Sequence, residues 1–266
     1  MAKLKGLPAF TGSIGGLSAY TMRGVDRIII REKGGPSKQQ IKSGKQFAIT
    51  RLRNEEWKGS MKGVQLVNLA LQGVRHLSDY NYTGALSKIC RLVQDDDTTA
   101  GSFGKRSVLF SRNGYKLEGF GPNMYHRFDT LLKAPLLYEV DKQNGTAAVE
   151  MPEIIPAIHL VNPMKQPFYR LVVTVGCIAD IVYDEARKMY RPAAEVNGKS
   201  RILQTEWRVS GDITPAQQVE LLIENWNPQQ QVSLILSAGI EYGRPQSGGY
   251  IGFTKYAGAA KILKVV

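Results

Sequence analysis

Beyond Gly104 the hydrophobic pattern of this chain changes its period, and that change limits the fold more than any other feature. Upstream, between residues 37 and 97, apolar residues recur every three or four positions, the spacing of helices with one buried stripe. Downstream they gather in short runs separated by Gly, Pro and Asn, the pattern of strands and turns. Helices followed by many strands, rather than alternating with them, predict an α+β protein and not a βαβ sheet.

In the helical stretch, Ser37-Lys38-Gln39-Gln40 after Pro36 reads as a capping box, with a hydroxyl at the N-cap and Gln three residues on. Ile41, Ala48 and Leu52 keep one stripe, and Lys38, Lys42, Lys45 and Arg53 fall on a neighbouring face. Val64, Val67, Leu71 and Val74 continue the spacing, with Gly59 and Gly63 marking a break or kink between the two stretches. A third helix follows the turn at 79–83, with Leu86, Ile89, Cys90 and Val93 inward. Asp95-Asp96-Asp97 would oppose the dipole at its end, so the acids are expected beyond the cap as a solvated loop. The prediction is a short helical hairpin or small bundle.

Residues 107–111 and 115–120 flank Arg112-Asn113-Gly114, whose Asn-Gly pair signals a hairpin. Further strands are expected at 136–140, 147–151, 157–161, 168–181, 205–210, 219–225, 232–242 and 259–266, the first two joined by a polar turn at 141–146. So many short strands with turns between them predict a C-terminal antiparallel β-sandwich of immunoglobulin-like type. The expected division is 1–103, a basic arm plus helices, and 104–266, the sandwich.

The arm precedes the helices. Thr11-Gly12-Ser13-Ile14-Gly15-Gly16 is turn-prone, and residues 17–22 and 27–31 read as two strands joined by Arg23-Gly24-Val25-Asp26. An isolated two-stranded hairpin is marginal in water, so it is expected to dock on something. Its charge says on what. Residues 1–63 hold 13 Lys or Arg against 4 acids, a net +9 of the chain's +12. Such asymmetry, with an isoelectric point near 9.6, points to a polyanion or an acidic partner.

Little points to catalysis. His76, His126 and His159 have no partners at metal-ligand spacing, and His159 sits in an apolar run as a structural residue. The segment 99–107 lacks the first glycine of a phosphate loop and has Arg106 where Ser or Thr would hold magnesium. The acidic triplet lacks the spaced oxygens of a calcium loop. Cys90 and Cys177 lie in apolar runs and are expected to be buried free thiols. No run approaches the roughly 18 apolar residues of a membrane span, and residues 1–10 are too polar for a secretion signal. The expectation is a non-enzymatic chain with no cofactor, no metal, no small-molecule substrate and no membrane, made for the cytoplasm or for a virion.

The contact surface expected for a protein partner or for self-assembly is the arm: Tyr20, Arg23, Arg27, Arg31 and Lys33. The alternative is nucleic acid held by Lys38, Lys42, Lys45 and Arg53, with Tyr20, Phe47 and Trp57 as stacking rings. A weaker alternative is a carbohydrate-binding sandwich using Trp207 or Trp226. The stretch from Phe10 through Gly12-Ser13-Ile14-Gly15-Gly16 and Arg23-Gly24 to Arg31, then Gly34-Gly35-Pro36-Ser37-Lys38 and Thr50-Arg51, resembles a family of uncharacterised proteins from Bacteroidota and their mobile elements. Weaker likeness continues through Leu117-Glu118-Gly119-Phe120, Val149-Glu150-Met151-Pro152 and Phe168-Tyr169-Arg170-Leu171-Val172. Similar basic glycine-rich arms occur in some phage structural proteins, so the resemblance implies a phage-related assembly component.

Overall fold

The computed structural model describes residues 10–22, 25–98, 103–196, 199–228 and 231–266. Its contacts divide the chain into Met1–Arg51 and Leu52–Val266, rather than after residue 103.

The first unit opens with a three-stranded antiparallel sheet, β1 (Gly12–Ile14), β2 (Leu17–Met22) and β3 (Val25–Glu32), in the order β1-β2-β3. The expected hairpin is therefore β2–β3, with an additional short strand. Gly15, at φ 54°, makes the tight β1–β2 turn in the left-handed region that glycine enters without strain. Helix α1 (Lys38–Ser43) starts on the capping box: the Gln40 amide donates to Ser37 Oγ at 3.2 Å, and the Ser37 amide donates to Gln40 Oε1 at 2.7 Å. It stops at Gly44, where a Cβ would stand 2.6 Å from the Gln40 carbonyl oxygen. The Arg51 guanidinium donates to the Ile41 and Gly44 carbonyls, 2.8 Å each, and so satisfies acceptors that the helix end leaves open. The helical break thus falls at Gly44.

Helix α2 (Ala48–Ala70) runs unbroken through Gly59 and Gly63. Those glycines allow close approach instead: a Cβ would lie 2.8 Å from the Tyr190 ring at Gly59 and 3.1 Å from the Phe110 ring at Gly63. Helix α3 (Thr83–Asp95) buries Leu86, Cys90 and Val93 as its spacing predicts. The acidic triplet starts inside the helix, not beyond its cap, and is tethered, with Asp95 and Asp96 exposed and Asp97 buried. Asp95 pairs with Arg91 and Arg106, Asp96 with Lys116, and the buried Asp97 accepts the Ser107 amide at 2.6 Å.

Three expected strands are helical instead. Residues 107–120 form no hairpin: α4 (Phe110–Asn113) runs into a 3-10 turn at Gly114–Leu117. Phe110 packs toward Gly63, and a Cβ on Gly114 would meet Val265 at 2.7 Å, so packing overrides the local Asn-Gly signal. After α5 (Phe128–Leu131), β4 (Leu137–Asp141) and β5 (Thr146–Met151) form the expected hairpin. Pro156 then opens α6 (Pro156–His159) where a strand was expected, and His159 Nδ1 accepts the Ile155 amide.

The remaining strands are β6 (Phe168–Ala179), β7 (Ile181–Asp184), β8 (Met189–Pro192), β9 (Ser200–Gln204), β10 (Arg208–Val209), β11 (Gln217–Leu222), β12 (Val232–Pro245), β13 (Ile251–Phe253) and β14 (Ala259–Val265). The long antiparallel pair β6–β12 centres a six-stranded sheet, with β9 and β10 beside β6 and β13 and β14 beside β12. A smaller sheet, β11-β5-β4, shares one core with it: Ala147, Val149, Val219 and Leu221 meet Leu171, Val173, Val175, Leu234 and Leu236. The other face of the large sheet, with Val172, Ile178, Ile235 and Ile262, packs on Val64, Val67, Leu71 and Leu86 of the helices. Covered on both sides, β6 and β12 read as continuous apolar runs instead of alternating ones. The fold is α+β, and its helices share a core with the strands, which is why the contacts do not divide at 103.

Candidate docking interface

Register places Ser18 opposite Arg31 and Tyr20 opposite Ile29, so these four side chains share one face of the arm sheet. The Arg31 guanidinium carbon lies 5.6 Å from the centre of the Tyr20 ring, a cation–π contact that holds the charge over that face. Arg27 is exposed two residues before Ile29 on the same strand. Lys33 continues the strand, its amide donating to the Gly16 carbonyl at 2.6 Å and its ammonium to the Gly15 carbonyl at 3.3 Å. Arg23 lies outside the described residues. The structure thus brings Tyr20 and Arg31 together and sets Arg27 and Lys33 along the same strand.

The alternative set is divided. Lys38 and Lys42 are exposed one turn apart on α1, and Lys45 is exposed in the 3-10 turn after Gly44, all in the first unit. Arg53 belongs to the second unit. Trp57 is 56% exposed, whereas Phe47 is half-buried. Arg51, which the charge count treats like any other cation, is spent on α1's carbonyls.

The two units differ in how their charges are compensated. Among the described residues, every ion pair lies within Leu52–Val266. Glu56 is the most elaborate case. Fully buried, it takes Arg106 through Nε at 2.7 Å and Nη2 at 2.8 Å, Arg91 at 3.2 Å and the Gly104 amide at 2.9 Å. Burial opposes its charge, but these hydrogen bonds and the two guanidinium charges hold its carboxyl below the usual carboxylate range. Glu241, also fully buried, is held below that range by His76 and Arg170 against the same opposing burial. By contrast Arg27, Arg31, Lys33, Lys38, Lys42 and Lys45 have no carboxylate partner among the described residues.

The candidate chemical groups are engaged structurally. Cys90 and Cys177 are buried free thiols whose burial pushes them up to about 12 and about 11, far from a thiolate nucleophile at neutral pH. Trp226 donates its indole N–H to the Lys142 carbonyl at 2.7 Å, and the Arg170 guanidinium stacks on Trp207 at 4.4 Å. Among the described residues no cluster of three or more His, Cys, Asp or Glu could hold a metal ion, and no helix is long and apolar enough to cross a membrane. One exposed edge has no local signal in the sequence, that of β11, with Glu220 and Leu222 outward and the exposed Glu224 in the turn just beyond the strand. No family model, curated protein or solved structure matches this chain.

Proposed function

We propose that this chain is a non-enzymatic structural or interaction protein that docks through its arm, Tyr20, Arg27, Arg31 and Lys33, onto an acidic protein surface. One observation carries the reading: among the described residues the cations of the first unit have no carboxylate partner, whereas every ion pair lies in the second. Residues 1–51 carry ten Lys or Arg against Asp26 and Glu32. Such a cluster repels itself and gains most when a partner supplies the missing negative charge. The exposed outer edge of β3 adds backbone donors and acceptors to that attraction.

In this reading the two facing sheets of the second unit are scaffold, an immunoglobulin-like sandwich with a helical layer over one face. A phage-related assembly role, in the cytoplasm or in a virion, rests on the likeness of the arm to arms of phage structural proteins. Lys38, Lys42 and Lys45 favour nucleic acid as a second reading, since they too are exposed and unpaired.

Removing residues 1–36 separates the readings. Light scattering is expected to show loss of self-assembly, or affinity capture to show loss of an acidic partner, with the second unit still folded. An unchanged monomer with no lost partner would refute the arm. Low-salt DNA or RNA binding that survives the deletion and vanishes with Lys42→Glu plus Lys45→Glu would favour the second reading.

A further inference from the structure

We infer that strand β3 of one copy adds, in parallel, to the free edge of β11 in a second copy, so that the chain assembles head to tail. Resting on the arm as docking element, this pairing supplies its partner and its register. The centre of β3 reads Arg27-Ile28-Ile29-Ile30-Arg31, and β11 with the two residues after it reads Glu220-Leu221-Leu222-Ile223-Glu224. Written in the same direction, each cation meets a carboxylate and each apolar residue meets another. Arg27 and Arg31 are four residues apart on β3, as Glu220 and Glu224 are in the sequence, Glu224 lying in the turn that follows β11.

Hydrogen-bond direction selects the parallel arrangement independently. The Lys33 amide bonds Gly16, so by the alternation of an antiparallel pair Ile29 and Arg31 also bond toward β2. Ile30 and Glu32 then turn their backbone groups outward, and Ile28 lies where the β2–β3 register shifts between Ile29 and Val25. The Ile223 amide bonds Gly145, so Val219 and Leu221 bond toward β5, and Gln218, Glu220 and Leu222 turn outward. Among the described residues β3 has β2 as its one strand partner, and β11 has β5.

In a parallel ladder, a residue whose groups face the neighbour stands opposite one whose groups face away. Setting Ile30 against Ile223 meets that condition and brings Ile28 beside Leu221. An antiparallel register with Arg27 on Glu224 sets outward Ile30 against inward Leu221 and leaves the ladder unbonded.

The faces agree as well. Val219, Leu221 and Ile223 are buried, whereas Glu220 and Glu224 are exposed and Leu222 is 54% exposed. Added in this register, Ile28 and Ile30 prolong the buried row, and Ile29 covers Leu222 between the two charge pairs. A cleft of about 310 Å³, lined by Ser200, Arg201, Leu222, Ile223 and Glu224 among others, opens at the end of this edge, where Ile30 and Arg31 arrive. Glu224 now pairs with Arg201 at 3.2 Å, but both side chains are exposed, and such surface pairs are worth little. A contact between unlike surfaces leaves a free arm and a free edge at every open end, so it continues into a ring or a filament.

Charge exchange in the full chain tests the pairing by sedimentation velocity. Glu220→Lys with Glu224→Lys is expected to abolish concentration-dependent assembly, and so is Arg27→Glu with Arg31→Glu. Equal amounts of the two variants mixed together are expected to assemble again, because each arm then meets an edge of opposite sign. Independently of charge, Ile29→Cys with Leu222→Cys is expected to cross-link between copies with a short bismaleimide, since Cys90 and Cys177 are buried. A wild-type chain that stays monomeric at all concentrations, or a mixture that fails to recover, overturns the pairing. Assembly that is lost on deleting residues 1–36 but untouched by edge reversal overturns this partner while the arm reading stands.

Discussion

Replacing Glu56 with alanine is expected to destabilise the second unit by about 3 kcal/mol, the low end for removing one partner of a buried ion pair. The cost arises from what stays behind. Arg106 and Arg91 lose their shared carboxylate, and the Gly104 amide loses its acceptor. The low end applies because the two guanidinium side chains keep 18% and 29% of their surface and Arg106 retains Asp95. For a domain of this size the loss lowers Tm by roughly 6–12 °C. The pH dependence follows from the lowered carboxyl. Its contribution is fully present above the ordinary value of 4.5 and is lost as pH falls through the lower folded value. The Tm difference between wild type and Glu56→Gln is therefore expected to be constant near neutrality and to shrink below about pH 4.5. A difference that does not change with pH would show that the charge of Glu56 does not stabilise the fold.

Gly176→Ala is expected to cost about as much, for a steric reason. Gly176 lies on β6 where α2 ends against the sheet, and a Cβ there would stand 2.6 Å from both the Cα and the carbonyl oxygen of Ala70. Backbone cannot swing aside as a side chain can, so helix or sheet must shift, at about 3 kcal/mol, the upper end for overpacking. Gly239→Ala on neighbouring β12 is the control. Its closest contact is the flexible end of Leu77 at 2.4 Å, so a smaller loss is expected. Thermal melts of the two variants check the order. Equal losses would contradict rigid helix-on-sheet contact at Gly176.

These two sites mark what a single sequence can disclose. The Ser37 cap and the β4–β5 hairpin were legible because their signals and partners lie within a few residues. Gly59 and Gly63 were read as a break because glycine has the same local meaning whether it ends a helix or admits a ring. The rings concerned, Tyr190 and Phe110, come from distant segments. Asn113-Gly114 misled for the same reason. The Glu56 cluster joins residues 35 to 50 positions apart and leaves no spacing signature. Of the candidate interface, the arm's charge was visible from composition alone. That these cations have no carboxylate partner among the described residues, and that Glu220 lies on an exposed edge with Glu224 just beyond it, required the fold.

Amide hydrogen exchange on β3, in dilute and in concentrated protein, tests the central claim most directly. Docking through the strand edge predicts that Ile30 and Glu32, whose amides point away from β2, gain protection on assembly, while Ile29 and Arg31 change little. Protection of Ile30 and Glu32 that stays the same, while the particle grows, would show that the molecule assembles by some other surface.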